Sequence, residues 1–232
     1  MKWNSYKGGQ RWAVIDTGEI VCEDPPTGDL TSEFQSGFGH KYRTKGDPIT
    51  AWNAVQDYGA AINHASLAFN IPPRVIFAMM AIEARRNPKD RSHLDPRSCR
   101  EEDGYISDSK TPHRVSPGLM QTLLSTAQEA NETYEIYKTI SGKIELLERE
   151  DLFIPERSIA LGAAYMRTQI DRKEPDESGF ADDDPLLLCA AYNAGSVRET
   201  SKNPWHLMTY GGDRMDRFIA FNNDFVSLLR MM

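Results

Sequence analysis

The sequence predicts a mainly α-helical protein preceded by a short extended arm. Three observations carry this expectation. From about residue 48 onward apolar residues recur at intervals of three and four. One stretch, Val75 through Ile82, is apolar on every face, as a helix in the middle of a core must be. No alternation of strand and helix and no internal repeat runs through the 232 residues.

Residues 1–48 differ in texture, being rich in Gly, Pro and aromatic side chains. Trp12, Val14, Ile20 and Cys22 flank Thr17-Gly18, the pattern of one short hairpin. A lone hairpin is marginal, so it is expected to lie against the body that follows. Loop signals continue through Pro25-Pro26 and Gly37 to Gly39. A first helix is expected after Asp47 as N-cap and Pro48 as first residue, with Trp52, Val55, Tyr58 or Gly59, Ile62, Ala65 and Phe69 along one face. The all-apolar helix follows Pro72-Pro73 and runs into Glu83, Arg85 and Arg86.

Residues 87–115 are polar and without periodicity, and read as one long surface loop inserted in a helical domain of residues 49–232. Helical patterns return at about 122–140, where Ser125 and Gln128 are spaced as a capping box, and at 156–172. They return again from Asp184-Pro185 to Gly195, and over about 213–231 with Met215, Phe218, Ile219, Asn222, Phe225 and Leu229 in phase. The run Asp182-Asp183-Asp184 places negative charge at a helix N-terminus.

Composition narrows the function. With 34 acidic against 27 basic residues and a net charge of -7, the chain has no electrostatic basis for gripping phosphate backbones, so nucleic acid is not an expected partner. No apolar run approaches the roughly 18 residues of a membrane span. Cys22, Cys99 and Cys189 are odd in number and far apart, which predicts reduced thiols. His93, Asp95, Cys99, Glu101 and Asp103 fit no zinc or calcium spacing, so no metal is expected.

Glu83 is the informative residue. A carboxylate ending an apolar helix is desolvated, which raises its pKa and suits it to donate a proton. Equally, it can simply pair with Arg74, Arg85 or Arg86. Two further segments stand out, Ser116-Pro117-Gly118-Leu119-Met120-Gln121 and Ala190-Ala191-Tyr192-Asn193-Ala194-Gly195. Each combines small residues with an amide, and each also reads as a plain helix boundary.

In this order, Glu83, Gly118-Leu119-Met120-Gln121, the helix Ile159-Ala160-Leu161-Gly162-Ala163-Ala164-Tyr165-Met166 and Ala191-Tyr192-Asn193-Ala194-Gly195 resemble the catalytic domain of the soluble lytic transglycosylases, relatives of goose-type lysozyme. The resemblance covers roughly residues 70–230. It implies a lysozyme-like helical domain whose cleft takes the alternating N-acetylglucosamine and N-acetylmuramic acid strands of peptidoglycan. It implies further that Glu83 acts first as acid and then as base, forming a 1,6-anhydro end without water, cofactor or metal. Met120 and Gln121 would line the cleft, Tyr165 would supply a cleft aromatic, and Tyr192 and Asn193 would sit beside Glu83.

Two departures accompany the resemblance. Ala84 stands where many members have Ser directly after the catalytic Glu, so the supporting hydroxyl is expected from elsewhere, with Ser116 the candidate. Leu123 stands where goose-type enzymes often carry a second carboxylate, which favours transglycosylation over hydrolysis, although Asp103 or Asp108 would be a substitute. A hydrolytic muramidase and a non-catalytic peptidoglycan-binding module are the alternatives. The start of the chain has no apolar segment of a secretion signal, so delivery to the cell wall is expected through phage or specialised secretion machinery. The 87–115 loop is expected at the cleft mouth, and an inhibitor protein is a conceivable partner.

Overall fold

The computed structural model describes residues 2–172 and 184–231. The expected first hairpin is present: β1 (Trp12–Val14) and β2 (Ile20–Cys22) pair antiparallel, with Trp12 opposite Cys22 and Val14 opposite Ile20. It is not alone. β3 (Thr31–Gln35) and β4 (Gly39–Arg43) form a second hairpin, and β4 pairs with β2, giving a sheet in the order β1-β2-β4-β3. The stretch read as loop was missed because β3 is an edge strand whose residues face solvent, so no alternation of apolar and polar residues marks it.

The first helix, α1 (Ile49–Phe69), begins one residue later than expected. Pro48 itself is the cap, its carbonyl accepting the Trp52 N–H at 3.0 Å, and no side chain caps the end. The buried stripe is Ala51, Ala54, Ile62, Ala65 and Phe69. Trp52, expected on it, is 47% exposed. α1 packs on α5 (Pro155–Asp171), whose buried residues include the small side chains Ala160, Ala163 and Ala164.

After a sharp bend comes α2 (Pro73–Glu83), buried from Val75 through Ala81. It packs on α7 (Arg214–Leu229), where Phe77 meets Phe221 and stacks on Phe225 at 5.3 Å. Leu229, in phase on α7, is exposed, because the helix runs out of the core at its last turn. Among the described residues no single helix is long and apolar enough to cross a membrane.

The 87–115 segment is more structured than its composition suggests. β5 (Cys99–Glu101) pairs antiparallel with β6 (Val115–Pro117), and a 3-10 turn covers Pro112–Arg114. Strands this short leave no periodic signal. α3 (Leu124–Tyr134) is shorter than expected, since Glu135 turns to a left-handed φ of 49° and ends it. The expected capping box does not form, because Leu123 occupies the cap position and the Gln128 amide reaches instead to the Leu147 carbonyl at 2.8 Å. A four-residue helix, α4 (Arg149–Leu152), and α6 (Pro185–Ala194) complete the set.

Asp184 caps α6, accepting from the Leu186 and Leu187 N–H groups at 3.0 and 3.3 Å. It also takes the Trp12 indole N–H at 3.0 Å, tying the sheet to the helical body. Asp182 and Asp183 lie outside the described residues. The sheet is further held by α7 through polar side chains. The Asn223 amide accepts from Ile20 N–H at 2.7 Å and donates to the carbonyls of Ile20 and Tyr42 at 2.8 and 3.0 Å, acting on the sheet as a neighbouring strand would.

Candidate functional site

Glu83 is the last residue of α2, and the chain leaves the helix there in extended conformation at Ala84. The Arg85 N–H then bonds the Ser98 hydroxyl at 2.8 Å, drawing the chain away and leaving the carboxyl at the base of a cleft of about 690 Å³. One wall is the β5 region from Arg100 to Asp103 with Ser116 of β6, so part of the 87–115 segment lies on the cleft, as expected. The other walls are Gln121 to Leu123, Tyr165 of α5, and Tyr192 to Gly195 with Tyr210.

None of the arginines near Glu83 in sequence pairs with it. Arg74 donates to the Gly18 carbonyl and Arg86 to the Thr50 hydroxyl. The partner is Arg214, the first residue of α7, whose Nη2 bonds Glu83 Oε1. Both side chains are 12% exposed. Burial pushes the Glu83 carboxyl above its ordinary range, and the Arg214 charge and hydrogen bond oppose this without cancelling it. Sequence reasoning missed Arg214, although a cation in the first turn of a helix works against the helix dipole and so signals a specific partner.

Tyr192 forms a buried flank of the cleft. Its hydroxyl donates to the Met120 carbonyl at 2.9 Å and bonds the Thr122 hydroxyl at 2.8 Å, so it is committed to the protein and makes no hydrogen bond to Glu83. Burial holds its phenol well above the usual range, hence neutral. The Tyr165 ring lies against it, centroids 5.0 Å apart. Asn193 Oδ1 accepts the Tyr210 N–H at 2.7 Å, fixing that loop on the cleft.

Gln121 stands on the cleft at a left-handed φ of 47°. Its Nε2 donates to the carbonyls of Gly118 at 2.8 Å and Ser98 at 3.0 Å, which uses both amide hydrogens and leaves Oε1 for a ligand. Met120 departs from expectation: it is fully buried and does not line the cleft. Its side chain fills the space over Gly162, where an added Cβ would come within 2.5 Å of Met120 Cγ. At Gly118, with φ 83°, a Cβ would meet the Leu152 carbonyl oxygen at 2.0 Å. The Gly-Leu-Met segment is thus a packing device that presents its neighbour Gln121 to the cleft. Ser116 is buried on the cleft wall.

Asp108, one candidate for a second carboxylate, is engaged elsewhere: Arg149 of α4 holds it at 2.8 Å and pairs with Glu101 at 2.8 Å. Asp103 lines the cleft.

A family model, the Transglycosylase SLT domain, matches residues 60–205, more than half of the chain and all of the motif residues above. The chain belongs to this family. The SLT match includes Glu83 and the Gln121, Tyr165, Tyr192 and Asn193 positions, and ends before Tyr210 and Arg214. This makes most of the helical body a Transglycosylase SLT domain. Among solved structures, the chain is similar to the X-ray structure of an inactive mutant of the lytic transglycosylase Slt from Pseudomonas aeruginosa. The two share 19% identity at a TM-score of 0.39, over 73% of this chain and 22% of that one. The SLT chain described here thus spans about a fifth of that protein's length. Comparison with curated proteins found no match.

Proposed function

We propose that this SLT domain cleaves the β-1,4 bond between N-acetylmuramic acid and N-acetylglucosamine in peptidoglycan, without water, leaving 1,6-anhydro-N-acetylmuramic acid ends. The observation that carries this reading is Glu83, a buried carboxyl with a raised pKa at the base of a polar cleft. In the proposed reaction the protonated Glu83 gives its proton to the glycosidic oxygen as the C1–O bond breaks. The resulting carboxylate takes the proton of the C6 hydroxyl of the same muramic acid, and that oxygen closes on C1. Glu83 ends protonated, so one carboxyl serves both steps and no cofactor enters.

The supporting residues divide the remaining work. Gln121 Oε1 and the Asn193 amide N–H group offer an acceptor and a donor to sugar hydroxyl and N-acetyl groups, and Tyr165 offers a ring face. Ser116 stands in for the hydroxyl that Ala84 lacks. The substrate places the action in the bacterial cell wall, with delivery through phage or specialised secretion machinery.

Mass spectrometry of muropeptides released from purified sacculi tests all of this together. Products lighter by one water are expected. Reducing ends would assign a hydrolytic muramidase, with Asp103 the carboxylate available on the cleft wall. Binding to sacculi without release would assign a non-catalytic module.

A further inference from the structure

We propose that Arg214 is a positioning residue for the Glu83 proton: its guanidinium holds Oε1, so the transferable proton resides on Oε2, and it receives the charge that appears when that proton leaves. This rests on Glu83 being the acid.

The geometry supplies the argument. Arg214 Nη2 donates to Oε1, and Oε2 takes no hydrogen bond among the described residues while Glu83 borders the cleft. In a neutral carboxyl one oxygen is a carbonyl acceptor and the other carries the hydrogen. A donor fixed on Oε1 therefore assigns the hydrogen to Oε2, the oxygen without a protein partner. Once the proton is transferred, the same guanidinium faces a carboxylate in a buried site, where a preformed charge needs no reorganisation.

Arg214 is kept at a disadvantage that packing alone does not explain. It stands in the first turn of α7, against the helix dipole, and its Nε is buried without a hydrogen-bond partner among the described residues. Other ionisable groups facing Glu83 are Cys189 and Tyr192 of α6 and Arg100 of β5. Burial pushes the Cys189 thiol up to about 12 and the Tyr192 phenol well above its usual range, so both stay neutral. Arg214 is then the dominant charge on Glu83, with Arg100 a weaker, more distant one.

The test compares Arg214→Met, Arg214→Gln and Arg214→Lys with the wild-type chain, by muropeptide release across pH and by infrared titration of the Glu83 carboxyl, assigned with Glu83→Gln. Removing the charge is expected to slow release by about 10²-fold. It should also move the alkaline limb and the Glu83 titration upward by about 1–3 pH units, because the charged form loses its counter-ion. Arg214→Lys is expected to return the limb toward wild type with release only partly restored, since an ammonium supplies charge without the planar fork. Arg214→Gln carries the comparison if Arg214→Met does not fold. Release within twofold of wild type together with an unmoved titration overturns the proposal, as does a loss of release shared equally by Met, Gln and Lys with the titration unmoved. If the wild-type chain releases nothing but the titration rises in Arg214→Met, the coupling stands and the transglycosylase reading fails.

Discussion

Glu19, where the N-terminal sheet meets the end of α7, and Glu83, at the cleft end of α2, are both buried side chains, yet their surroundings move them in opposite directions. Burial pushes Glu19 up, but the Lys41 amine at 3.1 Å, the Thr17 hydroxyl at 2.9 Å and Arg230 at 2.7 Å outweigh it, so its pKa is lowered. Glu83 has Arg214 as its direct partner and stays raised. In the seam between sheet and α7, Asn223 is likewise engaged from several sides, accepting from the Ile20 N–H and donating to the Ile20 and Tyr42 carbonyls. The cleft leaves one carboxyl oxygen open. Structural carboxylates are surrounded by donors; one able to exchange a proton with a ligand is left short of them.

The largest expected effect separates the two glutamates by function. Glu83→Gln keeps the shape and removes the transferable proton, so release of anhydro-muropeptides should fall by about 10²–10⁴-fold, with the melting temperature changed less than in Glu19→Gln. Glu19→Gln should leave activity per folded molecule unchanged and cost roughly 3 kcal/mol in urea unfolding, because Lys41 and Arg230 lose their counter-charge. Equal losses of activity in the two variants would erase the distinction.

Their pH signatures should also diverge. Glu19 binds its proton less tightly folded than unfolded. Its contribution is therefore present above the unfolded value of about 4.3 and lost as pH falls through the lower folded one. Glu83 has the reverse sign, contributing below about 4.3 and losing that contribution as pH rises through its folded value. Thermal melts from pH 3 to 8 on wild type and the two variants measure both slopes. The expected crossing is that Glu19→Gln loses ground toward neutral pH while Glu83→Gln gains it.

Within the seam, Asn223→Ala removes one acceptor and two donor bonds to strand backbone and is expected to cost roughly 2–3 kcal/mol by urea unfolding, without altering the pH profile of release. The smallest effect is at Trp52→Ala. As an exposed residue it should change stability by no more than about 0.5 kcal/mol, whereas the core role suggested by its periodicity would cost several times that.

Parts of the molecule that rely on local pattern were legible. The run from Val75 to Ile82 announced a central helix and, by its end, a desolvated Glu83. The Pro and Gly boundaries framed α6, and the order of the motifs pointed to the family. The second hairpin was not legible, because β3 is polar and solvent-facing and its stability comes from pairing with β4. Met120 was misplaced because a motif residue can serve by packing: only the closeness of Gly162 reveals that it fills core space beneath the site.

Sequence alone determined the helical class and the family, and singled out Glu83 as the candidate acid, because each depends on residue type and on spacing within a few helical turns. Tertiary structure decided how that side chain behaves. Arg214 lies 131 residues from Glu83 along the chain, and only the packing of α7 on α2 brings guanidinium and carboxyl together. Desolvation and charge act through space, so the balance that raises the Glu83 carboxyl is a property of the folded arrangement and of no local stretch of sequence.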